Sequence, residues 1–191
     1  MTTGCIILAA GASSRLAQPK QLVRLCGETM LDRAVRIAGE AGCAPIVVVL
    51  GASADELVSQ CKLIGAERVL NPGWAEGMAS SLRAGISALK ERVDATIVMT
   101  CDQPAVDAAH LRKLMGQLAE DEGAVASAYA GRNGVPACFP AAQFGGLMSL
   151  TGDHGARRLL EQARYIPLPG GELDVDTPAS LARMRELYGG D

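Results

Sequence analysis

The chain has 191 residues, of which 49% are hydrophobic and 20% charged, and its formal net charge is −3. This length and apolar content suit one folded domain over residues 1–191 and exclude a disordered chain. The small negative charge excludes broad attraction to nucleic acid, and no apolar run approaches the roughly 18 to 20 residues of a membrane span, so we expect a cytoplasmic protein that binds neither nucleic acid nor a membrane.

Short apolar runs bounded by Gly, Pro or Asp predict buried strands at residues 5–9, 46–50 and 95–100. Segments with helical spacing of apolar residues lie between and after these runs. Ser53 with Glu56 predicts a capping box, and Thr177 followed by Pro178 predicts the start of a final helix. The alternation of strands and helices indicates a doubly wound sheet that is mostly parallel.

The pattern changes after residue 122. Apolar segments at residues 124–130 and 135–139 flank Gly131-Arg132-Asn133-Gly134, which predicts a hairpin or a strand pair joined by a turn. We therefore expect a three-layer α/β/α domain whose mostly parallel sheet has an antiparallel element in its C-terminal half.

A loop of small residues, LAAGASSR at residues 8–15, follows the first predicted strand, and we call it the phosphate loop. Open α/β sheets bind ligands at the carboxyl ends of their strands, and small residues let backbone N–H groups approach phosphate oxygens. Ser13 and Ser14 add hydroxyl donors, while Arg15 and Lys20 add positive charge. The loop matches neither G-x-G-x-x-G nor GxxxxGK[ST], and on its own it could equally be a plain glycine turn with two solvated cations.

Six motifs occur in order along the chain: LAAGASSR, PKQL, NPGWAEGMASSL, CDQP, TGDHGAR and DVDTP. Together they resemble the molybdenum cofactor cytidylyltransferases, within the wider family of GT-A-like nucleotidyltransferases with a Rossmann-like fold. The resemblance implies transfer of CMP from CTP to the phosphate of molybdopterin or molybdenum cofactor, with release of pyrophosphate. It also implies Mg²⁺ as the cofactor and a molybdenum hydroxylase as a recipient of the product.

Two acidic motifs are candidates for the metal site. Asp102 follows a predicted strand, at the edge of the sheet where the phosphate loop lies, and a carboxylate there can hold Mg²⁺ against triphosphate oxygens. The alternative is an Asp that caps the next turn. The resemblance implies that Asp176 completes the metal site, with Asp174 as a second candidate, although Asp176 or Thr177 could simply cap the last helix. Arg15, Lys20 and Asp102 are the expected catalytic residues.

The residues expected to bind the nucleotide belong to the phosphate loop, to the end of the second strand and to the NPGWAEGMASSL segment. They are Leu8, Ala9, Ala10, Gly11, Ala12, Ser13, Ser14, Arg15, Lys20, Gly51, Asn71, Gly77, Ser80 and Ser81. Trp74 in the same segment could stack on the base or serve as a packing anchor. On the acceptor side, the resemblance points to Gln103, His154 and Arg157.

One position departs from the family pattern, because Ala17 stands where the family usually has Gly. Other functions stay open at this point. A guanylyltransferase or a sugar-phosphate nucleotidyltransferase would use the same fold, and a non-catalytic carrier of molybdenum cofactor would need no metal site. An NAD-binding module is disfavoured, because the second strand ends in Leu50 and Gly51 rather than in an acid.

Overall fold

The computed structural model describes residues 1–119, 123–152, 157–161 and 163–189. The strands are β1 (Thr3–Ala9), β2 (Arg24–Leu25), β3 (Glu28–Thr29), β4 (Ile46–Leu50), β5 (Ala66–Leu70), β6 (Ala95–Thr100), β7 (Val125–Tyr129), β8 (Arg132–Pro140) and β9 (Arg164–Pro167). The α-helices are α1 (Met30–Ala41), α2 (Ala54–Gln60), α3 (Met78–Leu89), α4 (Ala108–Leu118), α5 (Phe144–Met148), α6 (Arg157–Leu160) and α7 (Pro178–Tyr188).

Seven strands of the described chain form one sheet in the order β5-β4-β1-β6-β8-β7-β9. Strands β5, β4, β1 and β6 are parallel, whereas β8 runs antiparallel to both of its neighbours, β6 and β7. This confirms the predicted mostly parallel sheet with an antiparallel element in the C-terminal half. Because the direction reverses twice across β8, the carboxyl ends of β1, β4, β6 and β7 all lie at one edge of the sheet.

The turn between β7 and β8 is tighter than the predicted one. Tyr129 pairs with Arg132, so only Ala130 and Gly131 form the connection, and both have positive φ, 47° and 72°. Two consecutive residues with positive φ are typical of a two-residue hairpin turn that follows the twist of the strands. Arg132 and Asn133 therefore belong to β8 and not to the turn.

Helices cover both faces of the sheet, as predicted. One face packs against α1, α2 and α4 through aliphatic residues such as Leu31, Leu57 and Leu111, and the other packs against α3 and α5 through residues such as Ile86 and Phe144. With few aromatic residues in the chain, these layers are built mainly from Ile, Leu, Val and Ala. No helix of the described residues is long and apolar enough to cross a membrane.

Of the two helix caps predicted from the sequence, the one at Thr177 forms and the one at Ser53 does not. Thr177 caps α7 by accepting a hydrogen bond from the Ser180 backbone N–H, and Pro178 begins the helix. Ser53 precedes α2, but its side chain makes no cap hydrogen bond. Its φ and ψ of −115° and 31° differ from the extended conformation in which a capping hydroxyl reaches the first turn.

A buried histidine links α4 to the sheet. The Ser127 hydroxyl donates to the Pro136 carbonyl oxygen at 2.5 Å and lies 2.7 Å from Nε2 of His110. Because a carbonyl oxygen can only accept, the Ser127 oxygen is left to accept the Nε2–H of a neutral His110. Burial lowers the pKa of His110 below 6.5, and Lys113 adds to this effect, which Asp107 partly opposes.

We expect this histidine to make folding weaker at acid pH. Below a pH of about 6.5 the unfolded chain binds a proton that the folded His110 resists, so the free energy of unfolding falls by up to about 1.4 kcal/mol per pH unit. His110→Gln should remove this part of the pH dependence in urea unfolding between pH 5 and 7.5. His154→Gln changes the only other histidine of the sequence and is the matched control. Equal pH slopes for wild type and His110→Gln would contradict the assignment.

Candidate active site

A cavity of about 520 Å³ opens at the carboxyl ends of β1 and β6. Its walls come from the phosphate loop, from the segment before α3 and from the end of β6. The lining residues are Leu8, Ala10, Gly11, Ala12, Ser14, Arg15, Lys20, Gln21, Trp74, Ala75, Gly77, Met78, Ser81, Thr100 and Asp102. Most of the residues expected to bind a nucleotide thus lie together around one cavity.

The phosphate loop is held in shape by Gln21, a residue for which the sequence suggested no role. Its Nε2 donates to the carbonyl oxygens of Ala9, at 2.8 Å, and Gly11, at 3.1 Å. The Ser13 hydroxyl donates to Oε1 of Gln21 at 3.2 Å and accepts from the backbone N–H of Lys20 at 3.0 Å. Ser13 therefore braces the loop from within, and the PKQL motif is the signal that could have indicated Gln21.

The Ala in place of the family Gly fits this loop. Ala17 is exposed and is not among the non-glycine residues with positive φ, although Ser13 in the same loop is, with φ of 51°. Ala17 therefore needs no conformation that only Gly adopts easily.

Asn71 organises the segment that leads into α3. Its Nδ2 donates to the hydroxyl oxygens of Ser80, at 2.8 Å, and Ser81, at 3.0 Å, and its Oδ1 accepts from the Gly73 N–H at 3.0 Å. The Ser80 hydroxyl also lies within 3.0 Å of the Gly73 and Gly77 carbonyl oxygens. Asn71 and Ser80 thus stabilise the segment from behind, while Ser81 and Gly77 line the cavity. Gly77 has φ of 119°, a value that favours glycine.

Four charged side chains converge beside the cavity. Nζ of Lys20 lies 2.5 Å from Oδ2 of Asp102 and 2.6 Å from Oδ1 of Asp176, and Arg15 contacts Oδ2 of Asp176 at 2.9 Å. Burial alone would lower the pKa of Lys20, but the carboxylates of Asp102 and Asp176 outweigh it and raise that pKa. The ammonium therefore stays charged and partly neutralises both acids.

The acids also influence one another. Burial is the main cause that raises the pKa of Asp174 to about 6, and the negative charges of Asp102 and Asp176 add to it. Oδ1 of Asp102 is buried and has no hydrogen-bond partner among the described residues. No group of three or more His, Cys, Asp or Glu side chains in the described chain is arranged to hold a metal ion by itself.

A small apolar cluster fixes the acidic segment. Val175, between the two acids, is fully buried against Val23, Leu25, Met30 and Met184, and Leu16 packs on the same cluster. The Val175 N–H donates to the Asp102 carbonyl oxygen at 2.9 Å. This apolar cluster thus joins the segment around Lys20 to the segment that carries Asp176.

Gln103, one of the residues expected on the acceptor side, is not among the described residues that line this cavity. Gln103 is buried, and its Nε2 donates to the Gly171 carbonyl oxygen at 2.9 Å and to the Tyr129 hydroxyl at 3.2 Å. His154 lies outside the described residues. For Arg157 only its place as the first residue of α6 is described.

Gly51 is not among the described residues that line the cavity, but its lack of a side chain lets the phosphate loop and Trp74 pack closely against it. A Cβ at this position would lie 2.7 Å from the Ala10 carbonyl oxygen and 2.8 Å from Cβ of Trp74. Neither atom is the end of a flexible side chain, so a methyl group there forces the phosphate loop and Trp74 apart.

We expect Gly51→Ala to lower stability by about 1 to 3 kcal/mol through overpacking and to shift the fluorescence of Trp74, the only tryptophan of the sequence. Gly116→Ala is the matched control, because a Cβ there meets nothing within 4 Å and the site lies inside α4. Urea unfolding and the emission spectrum would check both. An unchanged spectrum and midpoint for Gly51→Ala would contradict the close contact.

Comparison with known proteins identifies a family and several relatives that the chain resembles. It matches the MobA-like NTP transferase domain over residues 5–166. It is 31% identical to a Paenarthrobacter nicotinovorans protein named nicotine blue oxidoreductase, over 94% of each chain. It is also 27% identical to the Escherichia coli molybdenum cofactor cytidylyltransferase, over 96% of each chain.

A solved structure agrees with these matches. The crystal structure of Rv0371c from Mycobacterium tuberculosis superimposes with a TM-score of 0.86 at 30% identity, over 97% of this chain and 98% of that one. A complex of that protein with manganese matches with a TM-score of 0.81 at 27% identity, over 98% of this chain and all of that one. With the domain match covering most of the sequence, the chain belongs to the family of MobA-like NTP transferases.

Proposed function

We propose that this protein transfers CMP from CTP to the phosphate of molybdopterin or molybdenum cofactor and releases pyrophosphate. The observation that supports this most directly is the convergence of Lys20 and Arg15 with Asp102 and Asp176 beside the cavity of the phosphate loop. Cations next to paired carboxylates, below a loop of small residues, suit a metal-bound polyphosphate. The resemblance of the motifs and the name of the Escherichia coli relative support the choice of substrates.

The donor set suits a divalent cation. Mg²⁺ commonly takes one or two protein carboxylates and completes its shell with phosphate oxygens and water. Asp102 offers a buried Oδ1 without a partner among the described residues, and Asp176 contacts the same ammonium of Lys20 through Oδ1. We propose Asp102 and Asp176 as the ligands of Mg²⁺. The manganese complex of the Mycobacterium tuberculosis protein is consistent with a divalent ion in this family.

The reaction needs no protein nucleophile. An oxygen of the acceptor phosphate attacks the α-phosphorus of CTP, the bond to the bridging oxygen breaks, and pyrophosphate leaves. Catalysis then consists of positioning and charge neutralisation. The bound metal ion supplies charge neutralisation for the phosphate oxygens. Backbone N–H groups of the loop 10–15 hold the triphosphate, and Arg15 and Lys20 offset the charge that builds up on the α-phosphoryl and pyrophosphate oxygens.

The preference for CTP rests on analogy. Ala10 stands in Leu8-Ala9-Ala10-Gly11 where guanylyl-transferring relatives tend to have a glycine, and Ala10 is buried against Gly51. The methyl group of Ala10 therefore takes up space in the cavity beside the phosphate loop that a glycine would leave open. A guanylyltransferase on the same site is the alternative.

Redox chemistry is the second candidate function. The Paenarthrobacter nicotinovorans relative is named as an oxidoreductase, and its identity of 31% over nearly the whole chain favours testing this activity. Against it, the loop lacks G-x-G-x-x-G, and β4 ends in Leu50 and Gly51 rather than in an acid that would bind a ribose hydroxyl.

The first test is pyrophosphate release from CTP, GTP, ATP and UTP with Mg²⁺, with and without molybdopterin cofactor as acceptor. We expect release with CTP that depends on the acceptor. Asp102→Asn should slow it by about a hundredfold or more, on the scale of losing one preorganised charge contact of about 3 kcal/mol. Asp55→Asn, on the exposed side of α2, is the matched control. Acceptor-dependent release with GTP alone would reassign the base, and NADH oxidation without nucleotide transfer would favour the redox reading.

A second test separates metal binding by Asp102 and Asp176 from the contribution of Lys20 to turnover. Lys20 holds the carboxylates that we assign to the metal, so Lys20→Met should bind Mn²⁺ about tenfold or more tightly without nucleotide, because a competing charge is gone. The same variant should lose most turnover with nucleotide. Electron paramagnetic resonance of free Mn²⁺ measures the affinity, and Lys62→Met, an exposed lysine, is the control. Weaker Mn²⁺ binding by Lys20→Met would contradict this arrangement.

A further inference from the structure

Arg83 of α3 joins the segment before that helix to the loop that follows α5. Its Nη2 donates to both carboxylate oxygens of Glu76, at 2.8 Å and 2.6 Å, and its Nη1 donates to the Leu150 carbonyl oxygen at 2.6 Å. Arg83 lowers the pKa of Glu76, and a hydrogen bond from the Gly152 backbone N–H to the same carboxylate adds to this effect. We call these four residues the Arg83 junction.

One side of the Arg83 junction belongs to the wall of the phosphate-loop cavity. Glu76 lies in a short turn with Trp74 and Ala75, and both of these neighbours line the cavity, as does Gly77. Glu76 itself is not among the described lining residues. The Gly77 N–H closes the turn by donating to the Trp74 carbonyl oxygen at 3.2 Å. The Glu76 carboxylate therefore fixes this wall from outside the cavity.

The other side leads into the TGDHGAR motif. Leu150 directly precedes the motif, and Gly152 is its second residue. The Leu150 side chain is partly buried on the core between the sheet, α3 and α5. Gly152 has φ of 67°, a conformation that favours glycine. The Arg83 junction thus holds the chain where it enters this motif.

The far end of α6 has an anchor of a different kind. Asn133 of β8 donates from Nδ2 to the carbonyl oxygens of Leu160, at 2.8 Å, and Ala163, at 3.1 Å. These three residues hold the end of α6 against the sheet and belong to no part of the segment before α3. Of the two anchors, the Arg83 junction is therefore the one that can respond to a ligand in the cavity.

The contacts of Arg83 are better suited to positioning than to stability. The side chains of Arg83 and Glu76 are 27% and 44% exposed, and ion pairs with this much exposure add little to the stability of a fold. A planar guanidinium, however, fixes the direction of its partners as well as their distance. Here it connects α3, the turn at Glu76 and the loop after α5 through a single side chain.

We propose that Arg83 is a positioning residue that couples the nucleotide cavity to the loop at residues 150–152. A nucleotide that packs on the wall at Trp74 and Gly77 restrains Glu76, and Arg83 passes this restraint to the loop. The inference rests on the proposed function, in which this loop leads to the acceptor side. Because coupling between two sites is reciprocal, nucleotide and acceptor each bind more tightly when the other is present.

The first measurement needs no ligand and follows hydrogen exchange of the Gly152 amide by NMR in the whole, isotopically labelled protein. Exchange should be about tenfold faster in Arg83→Met than in wild type, the scale of one lost hydrogen bond, because Glu76 is no longer held as its acceptor. Glu76→Ala removes the acceptor itself and should exchange at least as fast. Equal rates in wild type and Arg83→Met overturn the inference.

Arg92→Met is the matched control. Arg92 also contacts both oxygens of one carboxylate, that of Glu67, at 2.8 Å and 2.6 Å, and neither residue is among the described residues that line the cavity. This variant therefore loses an equivalent exposed ion pair, and its Gly152 amide should exchange as in wild type. Faster exchange in Arg92→Met to the same extent as in Arg83→Met would contradict a specific role for Arg83.

The second measurement adds CTP and Mg²⁺, or whichever nucleotide the panel selects, and Trp74 fluorescence follows binding. In wild type the nucleotide should shift the Gly152 signal and slow its exchange about threefold or more. In Arg83→Met the nucleotide should still bind, but the Gly152 signal should not respond, because the connection is lost. A Gly152 signal that responds equally in both proteins, or in neither, overturns the inference.

Kinetics give a readout that a purely structural role would not move. At saturating CTP, Arg83→Met should raise the KM for the acceptor about fivefold or more, the lower end of usual coupling between sites, and Arg83→Lys, which keeps the charge, should recover part of the loss. An unchanged acceptor KM overturns the inference while the proposed reaction stands. A Gly152 response that depends on Arg83, without any pyrophosphate release, supports the coupling, and in that case only the proposed reaction fails.

Discussion

The ammonium of Lys20 between two carboxylates is the contact on which the rest of the site depends. Asp102, Asp174 and Asp176 are brought to one edge of the sheet, where water is partly excluded, and burying like charges together is costly unless a cation lies among them. Lys20 bonds two of the three acids and so permits the arrangement. The loop that carries Lys20 must be placed accurately, because a small displacement would leave a buried carboxylate unpaired.

That accuracy comes from interactions behind the charges. On one side, Gln21 and Ser13 tie the phosphate loop to the start of the Lys20 segment through backbone groups. On the other, Val175 inserts into the small apolar cluster, so that the acids on either side of it are held close to Asp102. Both devices are hydrogen-bonded or apolar and carry no charge of their own. The charged side chains of the site are therefore held in position by residues that carry no charge.

Much of the fold could be predicted because its signals are local. Continuous apolar runs gave the central strands, and the motif order led to Lys20, Asp102 and Asp176, which the structure brings together. Other features depend on contacts between distant segments. The closeness of Gly51 to Ala10 and Trp74 is set by strand neighbours, and β9 is a short strand with an exposed Tyr165 that lacks the usual apolar alternation. The tight turn places Ala130 in a conformation that alanine rarely adopts, whereas the sequence pattern favours a turn over residues 131–134 with a glycine at each end.

The pairing of Lys20 with Asp176 joins residues that are 156 positions apart in the chain. During synthesis on the ribosome, β1, the phosphate loop, β4 and β6 can pair long before residue 176 has been made. Until then, Lys20 has Asp102 alone as its acidic partner, and the apolar cluster lacks Val175 and Met184. The nascent protein can therefore pair half of its sheet while the charged cluster is still incomplete, and under the proposed function its competence to bind nucleotide arrives late, when the last helix docks.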